Sequence, residues 1–322
     1  MADLVIVGNG FDIAHKLKTK YIDFIDYICI FERKSMYIAP GLVLTNSMSK
    51  EDQAKNELYE KLKKYIPEED LWYSLEESLG QLDYEQLKED NSEYFIGYGD
   101  DNWKDSANHD YQFMINEELN FTEEMTLQFT NWIETINTMV QPLPYLEHIM
   151  KGSNIYLNFN YTDTLESSYG ISERSIKYVH GKAKRKDKLI LGHHDDSFWS
   201  KEDLSMMTDE EYEDHMEYQF ERDFREIEAE QIIEDYFKRT YKDTQKIISE
   251  HNDFFKTLSH VNDIYILGHS LSDIDFNYFK EVKANTSSNC RWMISCYSPS
   301  DYDRANNLIE KLCIENYEFI KL

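Results

Sequence analysis

Leu4-Val5-Ile6-Val7 is a continuous apolar run ending at Gly8, the pattern of a strand buried on both faces of a parallel sheet. Tyr21, Phe24, Ile25, Ile28 and Phe31 then recur at helical spacing. The chain therefore opens as strand, glycine turn and helix, the first unit of a doubly wound sheet. Residues 50–150 read as mainly helical, with an Asn- and Asp-rich loop over 91–112. Within them Met125, Phe129, Trp132, Ile136 and Met139 step by 4, 3, 4 and 3, a stripe that one helix face buries in a core. Pro142 and Pro144 close it, since proline removes a helix donor. Short apolar runs resume at Asn154–Asn158, Ile176–Val179, Leu189–Leu191, Ile264–Leu267, Trp292–Cys296 and Tyr317–Ile320, several of them separated by helical segments. This alternation predicts an α/β fold with a doubly wound, mainly parallel, Rossmann-like sheet. It is read as one domain over residues 1–322, with helical insertions at about 50–150 and 195–260.

The second insertion has a character of its own. Thr208 to Asp235 holds 13 acids against two bases, Arg222 and Arg225. Yet Tyr212, Met216, Phe220, Phe224 and Ile227 step by 4, 4, 4 and 3, so the segment predicts an acidic amphipathic helix with a buried stripe. Its acidic face suits docking or regulation better than a place beside a diphosphate. The whole chain carries 62 acids and 34 bases, a formal net charge of −28, which repels nucleic acid and argues against it as a partner. The best basic run, Lys182 to Lys188, reads as a solvated turn. Cys29, Cys290, Cys296 and Cys313 show no zinc-ligand spacing, so no metal is expected and the thiols read as reduced and mostly buried. No apolar run approaches the ~20 residues of a membrane span, and strand residues begin almost at Met1, which leaves no room for a signal peptide. A cytoplasmic protein without a membrane partner is the expectation.

In open α/β sheets ligands bind at the carboxyl ends of strands, and four such ends here carry polar clusters. Gly8-Asn9-Gly10-Phe11-Asp12 places two glycines at a strand-to-helix turn, where backbone N–H groups can approach a phosphate. It lacks the third glycine of the dinucleotide fingerprint, Ile13 standing there, and a tight turn capped by Asp12 explains it equally well. Asn158-Phe159-Asn160-Tyr161-Thr162-Asp163 follows the second strand, and Thr162 or Asp163 can cap the next helix. Tyr178-Val179-His180-Gly181 puts a histidine at a strand end, and Gly268-His269-Ser270-Leu271-Ser272-Asp273 repeats glycine, hydroxyl and acid. Taken singly, each has a structural explanation as a cap, a turn or a core histidine.

As a set, LVIVGNGFDIAHKLKTKYIDFIDYI, LNFNYTDTLE, YVHGKA with LILGHH, and IYILGHSLSDIDFNYF resemble the bacterial AbiH abortive-infection proteins, in family order over residues 4 to 280. That family is in turn distantly similar to sirtuin-like NAD-binding domains. The resemblance implies that Gly8, Asn9 and Gly10, with Asp12, lie at the NAD diphosphate. It implies that Asn160, flanked by Asn158 and Asp163, lies near the nicotinamide ribose, and that His180, followed by Gly181, is catalytic. Gly268, His269, Ser270 and Asp273 would then line the adenosine side. NAD is implied as substrate or ligand, cleaved to nicotinamide and ADP-ribose during phage infection, with a phage-derived trigger and a homo-oligomer as partners. The zinc-binding cysteine pairs of deacylating sirtuins are absent, Thr162 stands where an aspartate is usual and Asp12 where a serine is usual. Deacylation is therefore not implied. A non-enzymatic nucleotide-sensing or assembly module in phage defence is the alternative.

Overall fold

All four side chains of β1 (Leu4–Val7) are fully buried, because the strand has neighbours on both edges and packing on both faces. In the computed structural model, which describes residues 2–30, 49–67, 75–198, 208, 213, 216 and 220–322, β1 pairs with β2 (Ile155–Asn158) and β4 (Asp263–Leu267). The sheet continues to β3 (Ile176–Tyr178) on one side and to β5 (Arg291–Ser295) and β6 (Tyr317–Ile320) on the other, in the order β3-β2-β1-β4-β5-β6. Every pair is parallel. The winding direction reverses between β1 and β4, the place where such sheets open a crevice for ligands. Val7 lies opposite both Asn158 and Leu267, so β1, β2 and β4 end at one level and the polar motifs begin together.

Alternation along the strands divides the core. Leu4, Ile6, Leu157, Ile264, Ile266 and Trp292 pack on one face with Tyr278 and Phe279. Val5, Val7, Tyr156 and Tyr178 pack on the other with Leu146 and Ile149.

The doubly wound parallel sheet is as the sequence predicts, and three local expectations are corrected. Leu189–Leu191 forms no strand; Leu189 is buried, and Ile190 is held by its N–H to the His180 carbonyl at 3.0 Å and by the Tyr161 hydroxyl on its own carbonyl at 2.9 Å. The apolar signal there reports burial without a ladder. The helix with the Met125, Phe129 and Trp132 stripe runs Phe121–Thr135 and stops well before Pro142, leaving Met139 exposed. The chain is diverted there, because the Thr138 hydroxyl bonds Asp163 and the Val140 N–H bonds Ser168. The helix read from Tyr21 onward spans Tyr21–Ile28 and is preceded by a short one, Asn9–Ala14, directly after β1; Phe31 lies outside the described residues.

The chain forms two compact units, one of Met1–Tyr27, Leu127–Leu191 and Lys242–Leu322, the other of Ile28–Thr126 and Gly192–Tyr241. The sheet belongs to the first. In the second, the Phe224–Arg239 helix buries Arg225, Ala229, Ile233, Tyr236 and Phe237. The predicted stripe is therefore not its buried face: Met216, Phe220, Phe224 and Ile227 are all exposed, and Tyr212 lies outside the described residues. Arg225 sets the phase. It bonds Asp223 at 2.7 Å and the Ile96 carbonyl at 2.8 Å and lies over the rings of Phe95 and Tyr98, contacts that turn this side of the helix inward.

Cys29, Cys290 and Cys296 are buried and Cys313 is exposed, none of them in a disulfide. Among the described residues no helix is long and apolar enough to cross a membrane.

Candidate functional site

The glycines of the two central strand ends face one another. The Gly10 N–H donates to the Gly268 carbonyl at 2.7 Å. A Cβ on Gly8 would stand 2.7 Å from His269 Cα, one on Gly10 2.7 Å from the Gly268 oxygen, and one on Gly268 2.1 Å from the Phe11 nitrogen. These three glycines are thus accounted for by a close backbone approach between the β1 and β4 loops, and the Gly10 donor is already engaged. Asn9 is exposed and its amide donates to the Thr19 carbonyl at 2.7 Å.

Asn160 ties the end of β2 to this junction. Its side-chain amide donates to the Gly8 carbonyl at 3.1 Å, while its N–H is received by the Asn158 side chain at 2.8 Å. Asp12 is not the cap of the Asn9–Ala14 helix; Gly8 holds that position. Its carboxylate turns to Thr162 instead, accepting from that hydroxyl at 2.5 Å, and its other oxygen is buried without a partner. Burial pushes the Asp12 carboxyl up to about 6, against the hydrogen bonds of Thr162 and Thr164 and with some help from the Asp163 charge. Asp163, half-buried, does not cap the Thr164–Tyr169 helix with its side chain. Burial works to raise its pKa, but Lys184 at 2.8 Å, the Thr138 hydroxyl at 2.6 Å and Ser167 at 2.8 Å outweigh it and hold the carboxyl below its ordinary range.

The basic run that contains Lys184 is a turn, with Lys186 left-handed. Its members answer local acids. Lys182 is buried 2.9 Å from Glu166, and Arg185 pairs with Asp187 and Glu173.

His180 is buried just beyond β3. The Phe159 carbonyl lies close enough to favour a protonated ring, and Nε2 is buried with no partner. With its hydrogen on Nδ1 the neutral ring keeps the Nε2 lone pair bare. Burial first, then the positive charge of Lys242, holds it neutral well below its ordinary pKa. Gly181 follows at φ +89°, where a Cβ would stand 3.1 Å from the Lys188 carbonyl.

Part of the motif residues form one connected set, while Asn9, Asp12 and Asp163 make separate contacts. Gly8, Gly10, Gly268, His269, Asn158 and Asn160 meet at the strand ends. The Phe159 ring joins His180 to His269, with centroids 5.4 and 4.4 Å away. Ser270 and Asp273 do not join them. Both are exposed, and Asp273 pairs with Lys311 at 2.9 Å. A cavity of about 510 Å³ in the second unit, lined by Tyr84, Asp195, Phe198 and Phe237 among others, includes none of the strand-end motif residues.

Residues 4–296 match the family described as Bacteriophage abortive infection AbiH. The chain belongs to the AbiH family. Its role accordingly lies in bacteriophage abortive infection. Comparison of this AbiH chain with curated proteins and with solved structures gives no match, so the likeness to sirtuin-like domains stays a resemblance of motifs.

Two buried charged residues at the site carry no sequence signal of their own. Asp275 follows Asp273 by two positions, and the 3-10 turn Asp273–Asp275 sends the first outward and the second inward. Lys242, buried and 3.3 Å from Asp275, comes from the far end of the second insertion. Only the tertiary fold brings it there.

Asp12 gives the AbiH chain a testable pH dependence. A carboxyl whose folded pKa lies near 6, against ~3.9 when unfolded, contributes stability fully present below about pH 4 and lost as pH rises through 6. Two units correspond to roughly 3 kcal/mol. Asp12→Asn keeps an acceptor for Thr162 and carries no charge. The difference in unfolding free energy between variant and wild type is expected to move in the variant's favour by about 2–3 kcal/mol from pH 4 to pH 8. A difference that stays flat across the range in urea titrations would show that Asp12 ionises like an exposed carboxyl.

Proposed function

We propose that this chain binds NAD at the carboxyl ends of β1, β2 and β3 and hydrolyses it to nicotinamide and ADP-ribose, stopping growth of the infected cell by depleting the dinucleotide. The observation that carries this reading is the bare, buried Nε2 of His180 on a ring joined through Phe159 to the strand-end cluster. The reversal of strand order between β1 and β4 supports it, since that is where such sheets receive nucleotides.

The residues fit the ribose side of the dinucleotide better than the diphosphate. Asn160, the unpartnered Asp12 oxygen and His180 are polar groups of the kind that hold ribose hydroxyls and water, whereas the glycine junction is filled by its own backbone. In the reaction a water oxygen bonds to C1′ of the nicotinamide ribose. The bonding pair of the C1′–N bond leaves with nicotinamide, which becomes neutral, and the water proton passes to His180 Nε2. A neutral imidazole is the form that can accept it. The transition state is oxocarbenium-like, so orientation of the ribose by Asn160 contributes beyond ground-state binding.

Incubating the purified chain with NAD is expected to release nicotinamide and ADP-ribose in equal amounts. Unchanged NAD after prolonged incubation, with and without phage lysate as a source of trigger, would rule out hydrolysis.

One observation favours the second reading, a nucleotide sensor. The Gly10–Gly268 hydrogen bond closes the junction where a diphosphate would sit, so a ligand there has to part the two loops. Binding would then be coupled to a change of shape. NAD that binds without being consumed, and shifts the oligomeric state, identifies the sensor.

A further inference from the structure

A set of buried charged groups lies beside His180. Lys242 and Asp275 are 3.3 Å apart, and the other Asp275 oxygen lies 3.5 Å from His269 Nε2. The Leu271 N–H donates to His269 Nδ1 at 2.9 Å, so the hydrogen of this neutral ring is on Nε2, facing Asp275. All three side chains are buried. Removing an ion pair from water costs several kcal/mol per ion, and apolar residues of similar volume often serve stability as well or better. An ion pair buried beneath a candidate site therefore calls for a role beyond stability.

Phe159 supplies the link. Its ring stands edge-on to His269 at 4.4 Å, to His180 at 5.4 Å and to Tyr278 at 5.2 Å, and its carbonyl favours the protonated His180 ring. Whatever fixes His269 therefore fixes Phe159, and with it the orientation of His180.

We propose that Lys242, Asp275 and His269 form a buried positioning set that fixes Phe159 and, through it, holds the His180 Nε2 lone pair bare for proton transfer. This rests on the reading of His180 as the base in NAD cleavage. The titratable groups that act on His180 are Lys242, Asp275 and His269, and the rings of Phe159, Tyr161 and Tyr278 lie against it. The Lys242 charge and the proximity of His269 oppose its protonation, and Asp275 favours it. Lys242→Met leaves the carboxylate uncompensated, so His180 takes up a proton more readily. Removing both charges in Lys242→Met with Asp275→Asn returns it to neutrality.

Nuclear magnetic resonance of the full chain labelled with ¹⁵N-histidine tests this, with His180→Gln giving the assignment. In the wild type the His180 signal is expected to show one tautomer, protonated on Nδ1, and no titration between about pH 5 and pH 8. In Lys242→Met it titrates within that range, and the double variant regains the wild-type signal. Nicotinamide release by Lys242→Met falls on the order of tenfold at the acid end, where about a tenth of His180 stays neutral, and recovers as pH rises, with KM for NAD kept. Should Lys242→Met unfold, His269→Gln leaves the ion pair in place and must convert the single tautomer of His180 into a mixture. A His180 signal that titrates in the wild type, or is unchanged in the folded variants, overturns the positioning set whatever the turnover. A wild-type chain that releases no nicotinamide overturns the NAD reading instead.

Discussion

His180→Gln and Asn160→Ala are each expected to lower nicotinamide release by 10²–10⁴-fold, the usual contribution of one positioned catalytic group. His180→Gln removes the imidazole and its Nε2 lone pair, so the proton of the attacking water loses its acceptor. Asn160→Ala removes the amide that reaches the Gly8 carbonyl and would orient the ribose. Both sites are buried, and loss of one hydrogen bond costs only about 1 kcal/mol, so a folded chain is expected in each case. The measurement pairs turnover with thermal unfolding. Wild-type turnover in either variant removes that residue from the mechanism, and inactive chains that have also unfolded would place the residues in the fold instead.

Gly268→Ala is expected to be the most damaging single methyl group in the sheet unit. The residue sits at φ +65° and a Cβ there would lie 2.1 Å from the Phe11 nitrogen and 2.3 Å from the Gly10 carbonyl carbon. Left-handed backbone costs about 1–2 kcal/mol for a residue with a Cβ, and overpacking a further 1–3 or more. The colliding atoms are backbone, which cannot swing aside, so a total loss of roughly 3–5 kcal/mol is expected. Gly170 is the control, since it shares φ +65° but a Cβ there meets nothing within 4 Å. Gly170→Ala should cost only the conformational part. Urea unfolding of the two variants separates the contributions, and equal losses would mean that the β1–β4 loop contact is soft.

The strands were legible because a parallel sheet buries both faces, and runs such as Leu4–Val7 then carry no polar residue. The same rule misreads Leu189–Leu191, where a loop is buried through one backbone bond and a tyrosine hydroxyl. Periodicity also cannot choose between two faces of one helix when a charged residue is the one buried. Arg225 belongs to the inner face of the Phe224–Arg239 helix, and an apolar count scores it as outer. The glycine motifs were legible as places needing glycine, but a crowded backbone and a phosphate cradle ask for the same residue. Only the Gly10–Gly268 contact tells which is present. Asp273 and Asp275 are equivalent on paper, and the phase of one 3-10 turn decides which is buried.

The placement of β1 has a consequence for synthesis. Among the described residues Leu4 pairs with Ile155 and Ile264 and with nothing nearer in the chain. This strand lies inside the sheet but leaves the ribosome before both its neighbours, and at some 5–20 residues per second it waits many seconds for either. During that time its wholly apolar side chains and both its backbone edges have no native partner, the condition under which nascent chains aggregate or recruit chaperones. Closure of the long loops to β2 and β4 has to precede any reward from pairing, which makes this topology slow to fold. A message interrupted before Ile264 therefore yields a polypeptide whose central strand lacks one flank, and such a fragment is expected to be cleared by proteolysis.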